Sequence, residues 1–499
     1  MIRDTLKAKR RFLAFAIAAL LSGCAVGPDF TQPQRPAVDG YTSEALPAQT
    51  VSVDTIAGAS QRFVPAADIP AQWWTVFQSE RLNALIEQAI RANPSIPAAE
   101  AALRAAQENV RTQRGAYLPQ VGANLVSTRQ STAELISPAL ASGDNLYNLH
   151  TAQLNISYTP DVFGANRRQV EALQAQADYQ RFQLEAAHLS LSANVVATVV
   201  QIASLRGQIG ATQSTIQILL DQLGILHRQL ELGAIAEANV IAQEGTLAQT
   251  RATLPNLMKQ LAQQQDLLAV LTGAYPGQVQ ALVLDLGDLH LPQALPISLP
   301  SSLAEHRPDI RSAEQQLHAA SAQVGVATAN MYPQITITGG LGSSATRVAD
   351  LFAGGTGFWS LAGSLAQPIF QGGSLLHRKR AAQATYEQAV YQYRSTVLSA
   401  FQNVADALHA LRFDADTLAA AATVERTALQ SLNIARRQVE LGDTSYLALL
   451  TFEQAYQQAR LNTVQAQAAR FADTAALFQA LGGGWWNRDQ AAALTEAQP

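Results

Sequence analysis

The sequence predicts a mainly α-helical chain that also carries a membrane β-hairpin pair, with long helices and four strands feeding a barrel shared between copies. Three observations predict it. The chain is an internal repeat, each copy holding a very long proline-free helical stretch. Four segments alternate strictly between apolar and small polar residues. The chain opens like an exported, lipid-anchored protein.

The opening comes first. Arg3, Lys7, Lys9, Arg10 and Arg11 precede an apolar run from Phe12 to Leu21, followed by Ser22, Gly23 and Cys24. A basic head and an apolar run of about ten residues describe a secretory signal, since a bilayer span needs about twenty. Cys24 is the single cysteine, so it has no disulfide partner in the chain, and no His or basic residue lies beside it to hold a thiolate. Leu21-Ser22-Gly23-Cys24 resembles a bacterial lipobox, which makes Cys24 a lipid attachment site. An ordinary signal peptide with an incidental cysteine is the alternative. Ala25, rather than Asp, follows the cysteine and favours the outer membrane by the same resemblance.

The repeat comes next. "NPSIPAAEAALRAAQENV" at Asn93 recurs as "RPDIRSAEQQLHAASAQV" at Arg307, 214 positions later. Pro119-Gln120-Val121 recurs at the same offset as Pro333-Gln334-Ile335. "QLELG" at Gln229 recurs as "QVELG" at Gln438, 209 positions later, a five-residue difference that a loop absorbs. Pro94 and Pro308 suit the first helical position, where the missing N–H costs nothing. Ile96, Ala99, Leu103, Ala106 and Val110 then make a narrow apolar seam, repeated by Ile310, Ala313, Leu317, Ala320 and Val324. Pro119 and Pro333 close these helices. The expected organisation is a signal peptide (1–23), a lipidated linker (24–70), repeat 1 (71–280), repeat 2 (300–484) and a tail (485–499).

After each proline the period changes to two. Val121, Ala123 and Leu125 alternate with Gly122 and Asn124. Ala152, Leu154, Ile156 and Tyr158 alternate with Thr151, Gln153, Asn155 and Ser157. Ile335, Ile337, Gly339 and Leu341 alternate with Gln334, Thr336 and Thr338. Trp359, Leu361 and Leu365 alternate with Ser360, Ala362 and Ser364. Such segments, apolar on one face and small-polar on the other, fit membrane barrel strands. The connections at 131–148 and 342–357 are the expected outer loops. Four strands close no membrane barrel, and open edges are not tolerated in lipid, so copies must combine.

The second strand of each hairpin leads into a proline-free helix, Ala165–Leu232 and Ser374–Leu441, roughly 100 Å long at 1.5 Å per residue. Gly233 and Gly442 stop these helices and a return helix follows each. No further transmembrane helix is expected, because Leu189–Leu205 is broken by Asn194 and Gln201.

Composition narrows the function. A net charge of −4 and a pI near 6.1 give no electrostatic case for nucleic acid. No Walker loop, HExxH or G-x-S-x-G elbow is present, and the eight histidines are scattered, so no enzyme, metal or cofactor is expected. His188, His227, His318 and His409 lie in helical stretches as packed or solvated imidazoles.

The phrases "GCAVGPDF", "AQWWTVFQSERLNALIEQAI", "HRPDIRSAE", "YPQITITG", "QPIFQGGSL" and "LGGGWW" together resemble the outer-membrane factors of bacterial efflux pumps. The match is to their lipoprotein branch (OprM/NodT-like) within the TolC-like superfamily, and spans about Ala71 to Trp486. The resemblance implies a homotrimer with a twelve-stranded β-barrel in the outer membrane and a long α-helical barrel in the periplasm. It implies a passive duct for small molecules that docks to a periplasmic adaptor and an inner-membrane transporter. A protein-secretion duct is the alternative on the same architecture. It also places the periplasmic tip and gate at Gly233, Gly442, Tyr446 and Leu447. The family aspartate is replaced by Thr451, with Asp443 and Glu453 as nearby acids that could stand in for it or be merely solvated.

Overall fold

The structure, a computed structural model, describes residues 26–34, 36, 38, 40–133, 144–278 and 281–488. The signal segment, Cys24 and residues 489–499 of the tail lie outside the described residues. In chain order the main elements of the first half are β1 (Arg62–Pro65), α1 (Glu80–Ala92), α2 (Ser95–Arg114), β2 (Gln120–Ser131), β3 (Leu146–Tyr158), α3 (Ala165–Glu231) and α4 (Glu237–Leu271). The second half holds β4 (Ala294–Ile297), α5 (Pro300–His306), α6 (Pro308–Ala329), β5 (Gln334–Ala345), β6 (Gly357–Ala366), α7 (Ser374–Glu440) and α8 (Tyr446–Ala480). The series helix, two strands, long helix, return helix therefore occurs twice. The long helices have 67 residues each and the return helices 35 each.

The chain divides into two compact units. The first holds residues up to 33, 102–180 and 312–393. Its centre is a four-stranded antiparallel sheet of order β2-β3-β5-β6, so the second hairpin pairs with the first through β3 and β5. The strands run further than the alternation suggested, to Ser131 and Ala345, because the ladder is made by backbone N–H and C=O groups and continues past the last alternating apolar side chain. The connection between β5 and β6 is correspondingly shorter than 342–357 and contains one 3-10 helical turn at Val348–Asp350. Pro308 opens α6 as expected, whereas Pro94 sits in the turn before α2, which starts at Ser95.

The second unit holds residues 34–101, 181–311 and 394 onward. Its core is aromatic. Trp73 stacks on Phe478 with centroids 5.8 Å apart, and Phe77 packs against Phe471 at 6.3 Å. The Trp73 indole donates to Ser192 Oγ at 3.2 Å, so the buried N–H is satisfied. Buried Arg470 donates to the carbonyls of Ala57 and Ala59 and to Gln61 Oε1, tying a loop before β1 to α8. β1 pairs in parallel with β4. Neither this small sheet nor α1 is expected from the period-two and repeat patterns, since four-residue strands carry no measurable alternation.

Contrary to the sequence reading, one stretch of α3 is long and apolar enough for a membrane span. Its apolarity has another cause: Val195, Val196, Val199, Val200 and Ile202 are buried within the protein. Closely packed helices demand small and branched apolar side chains at this density, with no lipid contact required.

Candidate functional site: a two-faced sheet, a held N-terminal segment and a helical tip

The sheet comes first. Pairing sets Val121 beside Ile156, Leu154 beside Leu341, and Leu341 beside Trp359. Ile335 faces Leu365, and Gly339 lies between Ile156 and Leu361. All four alternating patterns are thus in register, and every apolar position falls on one face. That face is bare: Leu125 is 70% exposed, Leu361 74% and Trp359 77%. The opposite face is amide and hydroxyl. Asn155 donates to Asn124 Oδ1 across the ladder at 2.7 Å, and Gln153 hydrogen-bonds Asn155. A soluble sheet buries its apolar face; this one exposes it and solvates the other, the arrangement of a barrel wall between lipid and water. Among the described residues, β2 and β6 each leave one edge without a partner.

In the same unit the N-terminal segment is held by named contacts. Val26 N–H donates to Phe163 O at 3.3 Å. Buried Arg168, from the first turn of α3, bridges Asp29 at 2.6 Å and Glu171 at 2.8 Å. Phe30 stacks on His318, centroids 4.2 Å apart, and His318 Nε2 lies 3.0 Å from Glu171. Gly27 has φ +102° and sits against Gly325, where a Cβ would come within 2.4 Å of the Gly325 Cα. Only glycine fits such an approach. The phrase "VGPDF" from Val26 is therefore a docking segment, and Cys24 lies two residues upstream of it in the sequence. Arg168 and His318 carry no motif that would single them out; a packed imidazole is what the sequence suggests for His318.

The second unit contains the tip. Both long helices end in the same cap. Gly233 (φ +70°) donates to Leu230 O and Ala234 to Gln229 O; Gly442 (φ +78°) donates to Val439 O and Asp443 to Gln438 O. This double return is the Schellman motif, which uses the left-handed residue to satisfy the last carbonyls. Ser445 then caps α8, its Oγ accepting from the Ala448 N–H at 3.3 Å. The first turn of α8 divides by helical spacing. Leu449 and Leu450 are buried, and Tyr446 packs against the cluster of Leu432, Ala435 and Leu449. Leu447 points away and is 63% exposed; Asp443 and Thr451 are exposed as well.

Glu453 is placed differently from those three. It is only 3% exposed, enclosed by residues from all four long and return helices. Gln222 of α3 donates to its Oε1, Arg436 of α7 lies 3.6 Å from the same oxygen, and Gln243 of α4 donates to Gln222 Oε1 at 3.0 Å. Among the described residues, its Oε2 and the Tyr446 hydroxyl find no hydrogen-bond partner. Burial raises the Glu453 carboxyl above its ordinary value, partly offset by Gln222 and Arg436. Burial and the Glu453 charge likewise raise the Tyr446 phenol. This acid belongs to an internal polar node, not to an exposed acidic ring. Among the described residues no cluster of His, Cys, Asp and Glu has the makings of a metal centre.

A four-stranded wall with a bare apolar face, joined in sequence to 67-residue helices, defines an outer-membrane channel subunit with a long helical extension. The chain belongs to the outer membrane efflux protein family, whose model matches residues 85–274 and 299–483. It is 27% identical to the toluene efflux pump outer membrane protein TtgF of Pseudomonas putida, covering 96% of this chain and 98% of that one. It is 30% identical to the pyoverdine export outer membrane protein OpmQ of Pseudomonas aeruginosa, over 84% of this chain and 88% of that one. Among solved structures, the outer-membrane channel OprN superposes with a TM-score of 0.82 at 26% identity, covering 93% of this chain and all of the other. The protein is thus an outer-membrane efflux channel of the TolC-like fold, with a periplasmic helical extension. Its family is one of ducts rather than enzymes.

Proposed function

We propose that the protein works as a homotrimer, a passive duct that carries small molecules from a periplasmic adaptor and an inner-membrane transporter to the exterior. One observation carries the reading: four strands aligned apolar face to apolar face, with two unpaired edges. Three such sheets joined edge to edge give the twelve strands of a closed wall, and closure is the arrangement that leaves no edge in lipid. TtgF and OpmQ are named for toluene efflux and pyoverdine export, which supports small solutes over a secreted protein. The repeats 71–280 and 300–484 supply one hairpin and one long helix pair each. Cys24 carries the acyl anchor. Gly233, Gly442 and Asp443 form the adaptor-facing tip, and Tyr446, Leu447, Thr451 and Glu453 belong to the gate region.

Native mass spectrometry of the detergent-purified full chain tests the assembly. A trimer is expected; a stable monomer refutes the shared wall. The same spectra report the anchor, since Cys24→Ala removes the mass of the acyl chains and leaves the trimer intact. An unchanged mass in the variant refutes acylation at Cys24.

A further inference from the structure

A groove of about 490 Å³ lies wholly within the second unit, between α3, α4 and α8 near their tip-ward ends. Its lining is unusual for helices this closely packed. Six threonines and four glutamines contribute, and no carboxylate does. Four of the threonine hydroxyls are already committed as donors to their own helix: Thr212 to Gln208 O, Thr246 to Ala242 O, Thr250 to Thr246 O and Thr253 to Thr250 O. Their protons point along the helix, so the groove meets their methyl groups and lone pairs. The wall is therefore half apolar in character, without being a hydrophobic pocket.

One charge lines this groove, Arg460 of α8. It is half-buried, and among the described residues its guanidinium makes neither an ion pair nor a hydrogen bond. Elsewhere in this chain partly buried arginines have partners: Arg168 has Asp29 and Glu171, and Arg307 has Asp309. A guanidinium keeps its charge at every accessible pH and presents a planar fork that suits a carboxylate. A groove of this volume is within the range of small-molecule sites.

We infer that this groove binds a small organic monoanion, with Arg460 taking the carboxylate and the threonine methyls flanking an apolar body. The inference deepens the duct reading by naming a solute class. Its binding assay is independent of conduction, so either can fail without the other.

The test uses the assembled full chain in detergent, benzoate as the probe and benzamide as its uncharged isostere, read by saturation-transfer NMR. Benzoate is expected to bind at least about tenfold more tightly than benzamide, the scale of a charge-assisted hydrogen bond. Arg460→Gln should bring benzoate down to the benzamide level. Gln457→Glu, which sets a carboxylate three residues from Arg460 on the same helix, should do the same by occupying the guanidinium in cis. It also serves if Arg460→Gln fails to assemble. Equal binding of benzoate and benzamide, no benzoate binding, or unchanged binding in an assembled variant overturns the site.

Discussion

At Leu447 the fold leaves an apolar side chain uncovered while its neighbours Leu449 and Leu450 are packed away. A helical tip repeated around an axis would bring such side chains together into a dry constriction, which ions cross poorly because they lose hydration there. Leu447→Ala is expected to raise single-channel conductance in planar bilayers by about twofold or more, and Thr451→Ala to change it little. The reverse pattern would move the gate to Thr451. Glu453 makes a separate prediction. Its carboxyl is raised by burial, so the folded tip holds the proton more tightly than the unfolded chain does. Its contribution to stability is full below the ordinary glutamate range and is lost as pH rises through the raised value. Protection factors at the ends of α7 and α8, which divide out the intrinsic pH dependence of amide exchange, should therefore be higher near pH 5 than near pH 7.5, and Glu453→Gln should flatten that difference. An equally steep profile in the variant would assign it to another group. The exposure of Leu447 follows from its spacing to Leu449 and Leu450. The burial of Glu453 was not legible, because an acid near a helix tip reads as solvated until Gln222 and Gln243, over 200 residues upstream, are seen beside it.

At the scale of elements the long helices were legible almost to the residue. Proline-free runs bounded by a glycine leave few alternatives, and α3 and α7 stop one residue short of the expected Leu232 and Leu441. The four strands were legible for a similar reason, since period two admits one reading when both faces are chemically distinct. β1 and β4 were not, being too short to carry a period of their own; α1 does carry one, with Leu82, Ile86 and Ala89 buried at helical spacing, but it lies ahead of the matched repeat blocks that drew the reading. The caps invite a direct test. Gly442 sits at φ +78° with open space where a Cβ would be, so Gly442→Ala meets no clash and pays only for the left-handed backbone. About 1 kcal/mol is expected, read as faster exchange confined to the Gly442 turn. A change spread through α7 would mean that the turn also carries packing.

For the molecule as a whole, the sheet argument predicts a depth-dependent penalty on one face alone. Leu361→Arg puts a charge on the apolar face beside Gly339, costing about 2–4 kcal/mol if that face meets lipid at mid-depth. Less assembled protein should reach the outer-membrane fraction. Ser360→Arg, one residue along on the polar face, should assemble nearly as the parent does. Equal losses would mean that the two faces share one environment.

The two unpaired strand edges also bear on inheritance. A subunit whose β2 or β6 edge cannot pair still offers its other edge to normal copies, and so enters assemblies that then cannot close. Such an allele should behave as a dominant one. Expressed beside the normal gene, it would remove more channels than its share of the protein, whereas a truncation lacking both edges would be silent.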